Sequence, residues 1–208
     1  MRPTPCVVSV AEHAGWANLV CVAAPGNVPA VVERRRVTTM DPGVPTQPYH
    51  HDSLAMTEDD ANALIQRVRR KVDARTAEVL QHVASELAST YVVVALVIRQ
   101  PPFDDLPPTV VDAWNAKRLL YAADGMMYQL AFCRAARQLG LDVQLYRRGE
   151  ESSLAAQRLG VASGEIDEFV SRTGRPSGPP WTQEHRRAFA AGIATLAGHT
   201  RRQLAITT

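Results

Sequence analysis

Glu184, His185 and Arg187 open the segment GPPWTQEHRRAFAAGIATLAG (178–198), which otherwise runs almost wholly to small and apolar residues. Within one helical turn they offer three kinds of chemistry. A carboxylate can hold a metal ion, an imidazole titrates near neutrality, and a guanidinium matches a phosphate bidentately. Each also has an ordinary structural explanation. An acid in a first turn suits the helix dipole, and an imidazole on a packed stripe can simply hydrogen-bond to a neighbouring loop carbonyl. Three further places carry comparable residues: Glu12 and His13 after the run CVVSVA, Arg99 after YVVVALVI, and His50-His51 in PYHH. Adjacent histidines on a loop can bind a metal or act as a general base, although two imidazoles alone are a weak signal.

The elements that must position these residues follow from the hydrophobic periods. Residues 6–12 and 16–24 are apolar runs of strand length around a His-Ala-Gly turn, which predicts a hairpin. Residues 31–40 (VVERRRVTTM) carry Glu33 and three arginines between β-branched ends, as an edge strand defended against further pairing would. A loop rich in Pro, Gly and Asp leads to Thr57, which with Asp60 three residues on predicts a helix start. Ala61, Ile65, Val68, Val72, Val79, Val83 and Leu87 then form a stripe roughly 45 Å long. His82 beside it is expected to pack at the core edge.

Residues 91–98 are apolar at every position, which predicts a central parallel strand covered on both faces. A helical stretch follows, with a break expected near Ala123 or Gly125 and an end at Gly140. Residues 141–146 read as a short strand, 151–159 and 164–172 as two weaker helices, and the quoted segment as the last helix. Trp181 is expected to pin that helix where Pro179-Pro180 aim it. Three strands in a meander followed by two right-handed crossovers predict one α/β domain over 1–208, the ribonuclease-H-like fold. Its five-stranded mixed sheet has the order 3-2-1-4-5, with helices on both faces. Glu12, His13, Arg99, Glu184 and His185 are then expected at the carboxyl end of the central strands, where α/β sheets bind ligands.

Two motifs carry a closer resemblance. AADGMMYQLAFCRAARQLGLDVQLY (122–146) and EHRRAFAAGIATLAGH (184–199) resemble the penultimate helix-strand unit and the final helix of the RuvC-like, Holliday-junction-resolvase branch of that fold. The chain is also similar to uncharacterised bacterial proteins with QPYHH and GPPW elements. The resemblance implies a divalent-metal nuclease in which clustered carboxylates hold two Mg2+ or Mn2+ ions. The family's first-strand Asp aligns with Ala11, one residue before Glu12. Arg99 stands at the end of the fourth strand, with Asp104 and Asp105 beyond it. The last helix supplies Glu184 at the first acid position and Arg187 at the second.

At most half of the acid set is therefore in place, two of its positions are arginine, and the standard two-metal site is expected to be absent. Two functions remain open. One is a divergent metal-dependent nuclease in which Glu12, Glu184 and His185, helped by His50 and His51, hold a single metal while Arg99 and Arg187 bind the scissile phosphate. The other is a non-catalytic module that binds nucleic acid, a nucleotide or a protein partner through those arginines. Nucleic acid is the expected partner, and homodimerisation is open.

Composition bounds these readings. The 208 residues are 46% hydrophobic and 21% charged with net charge +2, so no global basic field marks a nucleic-acid coat protein. Cys6, Cys21 and Cys133 lack metal-ligand spacing and are expected to be reduced core residues. Asp124 and Tyr128 share a helix face and read as a helix-start acid and a core-rim phenol. The absence of a leader-like or membrane-length apolar run predicts a soluble cytoplasmic protein, and neither a Gly-rich phosphate loop nor a GxSxG elbow occurs.

Overall fold

The computed structural model describes residues 3–174, 178, 180–200 and 204–206. Pro179 and the Arg201-Arg202 pair lie outside the described residues. Strands β1 (Thr4–His13), β2 (Trp16–Ala23) and β3 (Ala30–Thr38) form the expected antiparallel meander. Helix α1 (Glu58–Leu87) crosses to β4 (Tyr91–Arg99), which pairs parallel with β1. Helices α2 (Val110–Asn115) and α3 (Lys117–Gln138) cross to β5 (Asp142–Tyr146), parallel to β4. Helices α4 (Glu151–Leu159), α5 (Ser163–Thr173) and α6 (Gln183–His199) complete the chain. The sheet order is β3-β2-β1-β4-β5, the order of the ribonuclease-H-like fold.

Strand alternation divides the core in two. Val7 of β1 joins Val20, Val22 and Val97 under α6, where Phe189 and Ile193 cover them. Cys6, Val8 and Val10 point the other way, to Leu80 and Val83 of α1 and Phe132 of α3. Each such apolar side chain, fully buried, contributes about 1.5–3 kcal/mol. The Ala- and Gly-rich run of α6 lets its backbone lie close to the sheet: a Cβ at Gly192 would fall 2.5 Å from Val22 Cγ2 and 2.6 Å from Ser9 Oγ.

The helix starts follow their capping chemistry. Thr57 Oγ1 accepts from Asp60 N, and Thr109 and Asp112 form a reciprocal capping box at α2. Four expectations need correction. The α1 stripe passes through Leu80 rather than Val79, which is half-buried. His82 is 69% exposed at its side chain and faces Glu86 one turn on, rather than packing at the core edge. The helical break falls at Ala116, where φ −125 and ψ 87 leave the helical region, and α3 runs unbroken through Gly125. β4 is fully buried only over its second half, and Val92 is 43% exposed. Among the described residues, no helix is long and apolar enough to cross a membrane.

Candidate phosphate-binding crevice

The carboxyl ends of β1, β4 and β5 meet the first turns of α4 and α6 around a cavity of about 210 Å3. β1 contributes Glu12 and His13, and β4 contributes Arg99. Tyr146 and Arg148 enter from β5 and the turn beyond it, Glu151 from α4, and Glu184 and Arg187 from α6. Three guanidinium groups and three carboxylates thus line one wall system, with an imidazole among them.

The charges sort into two centres because Glu12 and His13 are neighbours on a strand and so point to opposite faces. Glu12 belongs with Val8 and Val10 on the α3 side. Its side chain is 5% exposed, and its Oε1 accepts from Arg99 Nη2 at 2.8 Å and from Gln129 Nε2 of α3 at 2.7 Å. His13 belongs on the α6 side, where its Nε2 lies 3.0 Å from Glu184 Oε2. The His13 ring stacks on Trp16 at 3.8 Å with an interplanar angle of 7°. The Arg36 guanidinium lies 3.8 Å over the same indole. Both indole faces are thereby covered, since two groups at that distance cannot share one. The tip of β1 and the start of α6 therefore meet over the centre of the sheet, as the topology predicts.

Glu151 is buried, at 4% exposure. Its Oε2 accepts the Gly149 N–H at 2.8 Å, while its Oε1 has no hydrogen-bond partner among the described residues. Tyr146 is buried beside Glu12 and Glu151, and burial first, then those carboxylates, raise its phenol above the ordinary value.

Other expected site residues go elsewhere. His185 is 6% exposed and does not line the crevice. Its Nδ1 accepts the Thr182 N–H at 3.2 Å and lies 2.8 Å from Thr182 Oγ1, so the imidazole closes the capping box of α6. Burial, and then the Arg34 cation, push its pKa below the ordinary value against the pull of Glu184. The partner is thus a cap N–H rather than the loop carbonyl expected, and a ring nitrogen that accepts this N–H carries no proton there.

His50 and His51 lie within a π-helical turn, Pro48–Asp52. Their turn is held by Asp124, whose carboxylate accepts Tyr49 N–H at 3.0 Å and His50 N–H at 3.1 Å. The His50 ring meets Tyr121 edge-on at 4.5 Å, and neither histidine lines the crevice with Glu12. Asp124 is therefore a mid-helix loop anchor rather than a helix-start acid. Burial lifts its pKa to about 6, opposed by the two backbone donors. Tyr128 donates to Thr46 O at 2.9 Å. Asp104 and Asp105 are exposed and also lie off the crevice wall. Trp181 donates from Nε1 to Val170 O at 3.2 Å and packs edge-on against Phe189, anchoring α6 to α5.

These residues do not fit Mg2+ or Mn2+. A two-metal nuclease needs carboxylate oxygens that converge on shared ions. Among the described residues no three His, Cys, Asp or Glu groups converge in that way, and Glu12 faces a guanidinium instead. Sequence reasoning missed Gln129, Tyr146, Arg148 and Glu151. Gln129 carried a signal, as a polar residue inside the apolar run MMYQLAF; Glu151 had none beyond following Gly149-Glu150.

No known family's sequence model matches the chain, and neither does any curated protein. Solved structures similar to it include RuvC of Thermus thermophilus, at 15% identity over 93% of this chain and 95% of that one, with a TM-score of 0.47. The T. thermophilus RuvC in complex with Holliday junction substrate is similar at 15% identity over 93% and 94%, with a TM-score of 0.48. A Ppx/GppA family member from Aquifex aeolicus is similar at 14% identity over 77% of this chain and 40% of that one, with a TM-score of 0.36. The sheet order and its helical layers give this chain the ribonuclease-H-like α/β fold.

Proposed function

We propose that the crevice recognises a phosphodiester, and that the chain acts as a nucleic-acid-binding module of the ribonuclease-H-like fold rather than as a two-metal nuclease. The observation that carries this reading is the engagement of Glu12 by Arg99 and Gln129. A carboxylate held by a guanidinium and an amide is a poor metal ligand and a good orienter of that guanidinium. Arg99 spends Nη2 on Glu12, and a guanidinium has five N–H donors in a planar fork, so its outer edge suits a second anionic acceptor. Arg148 and Arg187 stand on the same cavity. Glu12 is already engaged by Arg99 and Gln129, and Glu184 by His13, so Arg148 and Arg187 remain to meet a backbone phosphate, a contact that positions a strand without reading its bases.

Binding is tested by fluorescence anisotropy with labelled single-stranded, duplex and branched oligonucleotides across a salt series. Affinity is expected to fall with rising salt and to weaken in Arg187→Gln, with a shallower salt slope by about one. Incubation of the same strands with millimolar Mn2+ or Mg2+ is expected to leave them intact. Metal-dependent cleavage that is lost in Glu12→Gln would overturn the reading.

A further inference from the structure

Beside the crevice, a second cavity of about 570 Å3 lies between the ends of α4, α5 and α6. Glu151 and Arg187 line both cavities, so one wall separates them. Arg186, Arg187 and Gln183 supply donors along the α6 side of this cavity, and the α4 side supplies acceptors. Ser152 spends its hydroxyl proton on Asp167 and Ser153 on Glu150 O, which leaves oxygen lone pairs rather than donors. Glu151 adds a buried carboxylate oxygen that meets no donor. A buried acceptor without a partner carries a desolvation cost of about 1–3 kcal/mol, more when charged. A bound group that brings a donor removes that cost.

We propose that Glu151 accepts a ribose 2′-hydroxyl, so that the strand bound in the crevice is RNA. The inference rests on the phosphodiester reading above and adds the sugar to it. Arg187 and Glu151 share a wall, and in a ribonucleotide the 2′-hydroxyl and the 3′-phosphate sit on adjacent sugar carbons. One nucleotide therefore presents an anion to the arginine and a donor to the carboxylate. Glu151 Oε1 is buried, so the inference includes a swing of the Arg187 side chain onto the phosphate that uncovers it. A deoxyribose within a strand has no hydroxyl to offer, and the 2′-hydroxyl is the group by which proteins tell the two polymers apart. The acceptor-rich serine wall receives the rest of the sugar and its neighbour.

The test compares three strands of one sequence on the intact chain: RNA, DNA, and RNA carrying 2′-fluoro groups, which cannot donate a hydrogen bond. RNA is expected to bind about tenfold more tightly than DNA, the scale of one hydrogen bond to a charged acceptor, and the 2′-fluoro strand is expected to bind like DNA. In Glu151→Gln, which keeps an acceptor for the Gly149 N–H, the RNA-to-DNA affinity ratio is expected to fall to about one. The strand series on the unaltered chain decides the matter even if that variant fails to fold. Equal binding of RNA and DNA, the result if a base amino group meets Glu151, overturns the inference and leaves the phosphodiester reading standing. So does 2′-fluoro RNA binding as well as RNA. Failure of all three strands to bind overturns the phosphodiester reading itself and the inference with it.

Discussion

His13 Nε2 lies 3.0 Å from Glu184 Oε2, tying the carboxyl end of β1 to the first turn of α6 across 171 residues of chain. The contact closes one side of the crevice, and the Trp16 ring beneath His13 holds the imidazole in place. It also shows why Glu184 does not serve Glu12: the acid of α6 meets the residue next along the strand, on the other face of the sheet.

Because the His13 and Glu184 side chains are 31% and 44% exposed, their pair is expected to add little to stability. Glu184→Gln should cost less than about 1 kcal/mol in urea denaturation. A larger loss would show that the pair organises the crevice beyond its own attraction.

Glu12→Ala is expected to cost more, about 1–3 kcal/mol, because it strips Arg99 and Gln129 of an acceptor that is buried. Gln129 Oε1 already lacks a partner, so the amide would lose its remaining hydrogen bond. Chemical denaturation measures the loss, and Glu12→Gln should recover part of it. Millimolar Mn2+ is expected to leave the melting temperature of the unaltered chain where it was.

Asp124 should give the stability profile an acid limb of known sign. Its pKa rises from 3.8 to about 6 in the fold, so the folded chain binds the proton more tightly than the unfolded one. Stability from this group is therefore greatest below the lower value, falls as pH rises through the window between them, and is flat above it. The size is on the order of 3 kcal/mol at most. Asp124→Asn should remove the limb, as urea midpoints between pH 4 and 7 would show; its amide keeps one acceptor oxygen, so one of the Tyr49 and His50 N–H groups loses its partner.

Gly192→Ala tests how closely α6 lies on the sheet. Alanine is the better helix former by about 1 kcal/mol, yet its methyl would sit 2.5 Å from Val22 Cγ2 and 2.6 Å from Ser9 Oγ. Overpacking of that kind costs about 1–3 kcal/mol. The clash is expected to win, lowering the melting temperature by several degrees at about 2–4 °C per kcal/mol. A rise would mean that α6 can lift off without loss.

Much of this fold is legible in the chain because it depends on local period. The alternating runs of β1 and β2, the apolar stripe of α1 and the capping residue Thr57 each act over a few neighbours, and their order restricts the topology to few choices. The sheet order and the meeting of β1 with α6 follow from that order.

What tertiary structure alone decided is which groups face one another. A displacement of one residue along a strand reverses the face, so Ala11 and Glu12 exchange sides, and Glu12 meets Gln129 of α3 instead of Glu184. His185 Nδ1 is taken by the Thr182 N–H at its own helix start. Glu151 lines two cavities because α4 and α6 pack together, a contact between segments that no local pattern encodes. Sequence by itself determined the elements and their succession, since those obey short-range sterics and periodicity; the partners of each charge were settled only by packing, since they depend on register and on distances across the folded chain.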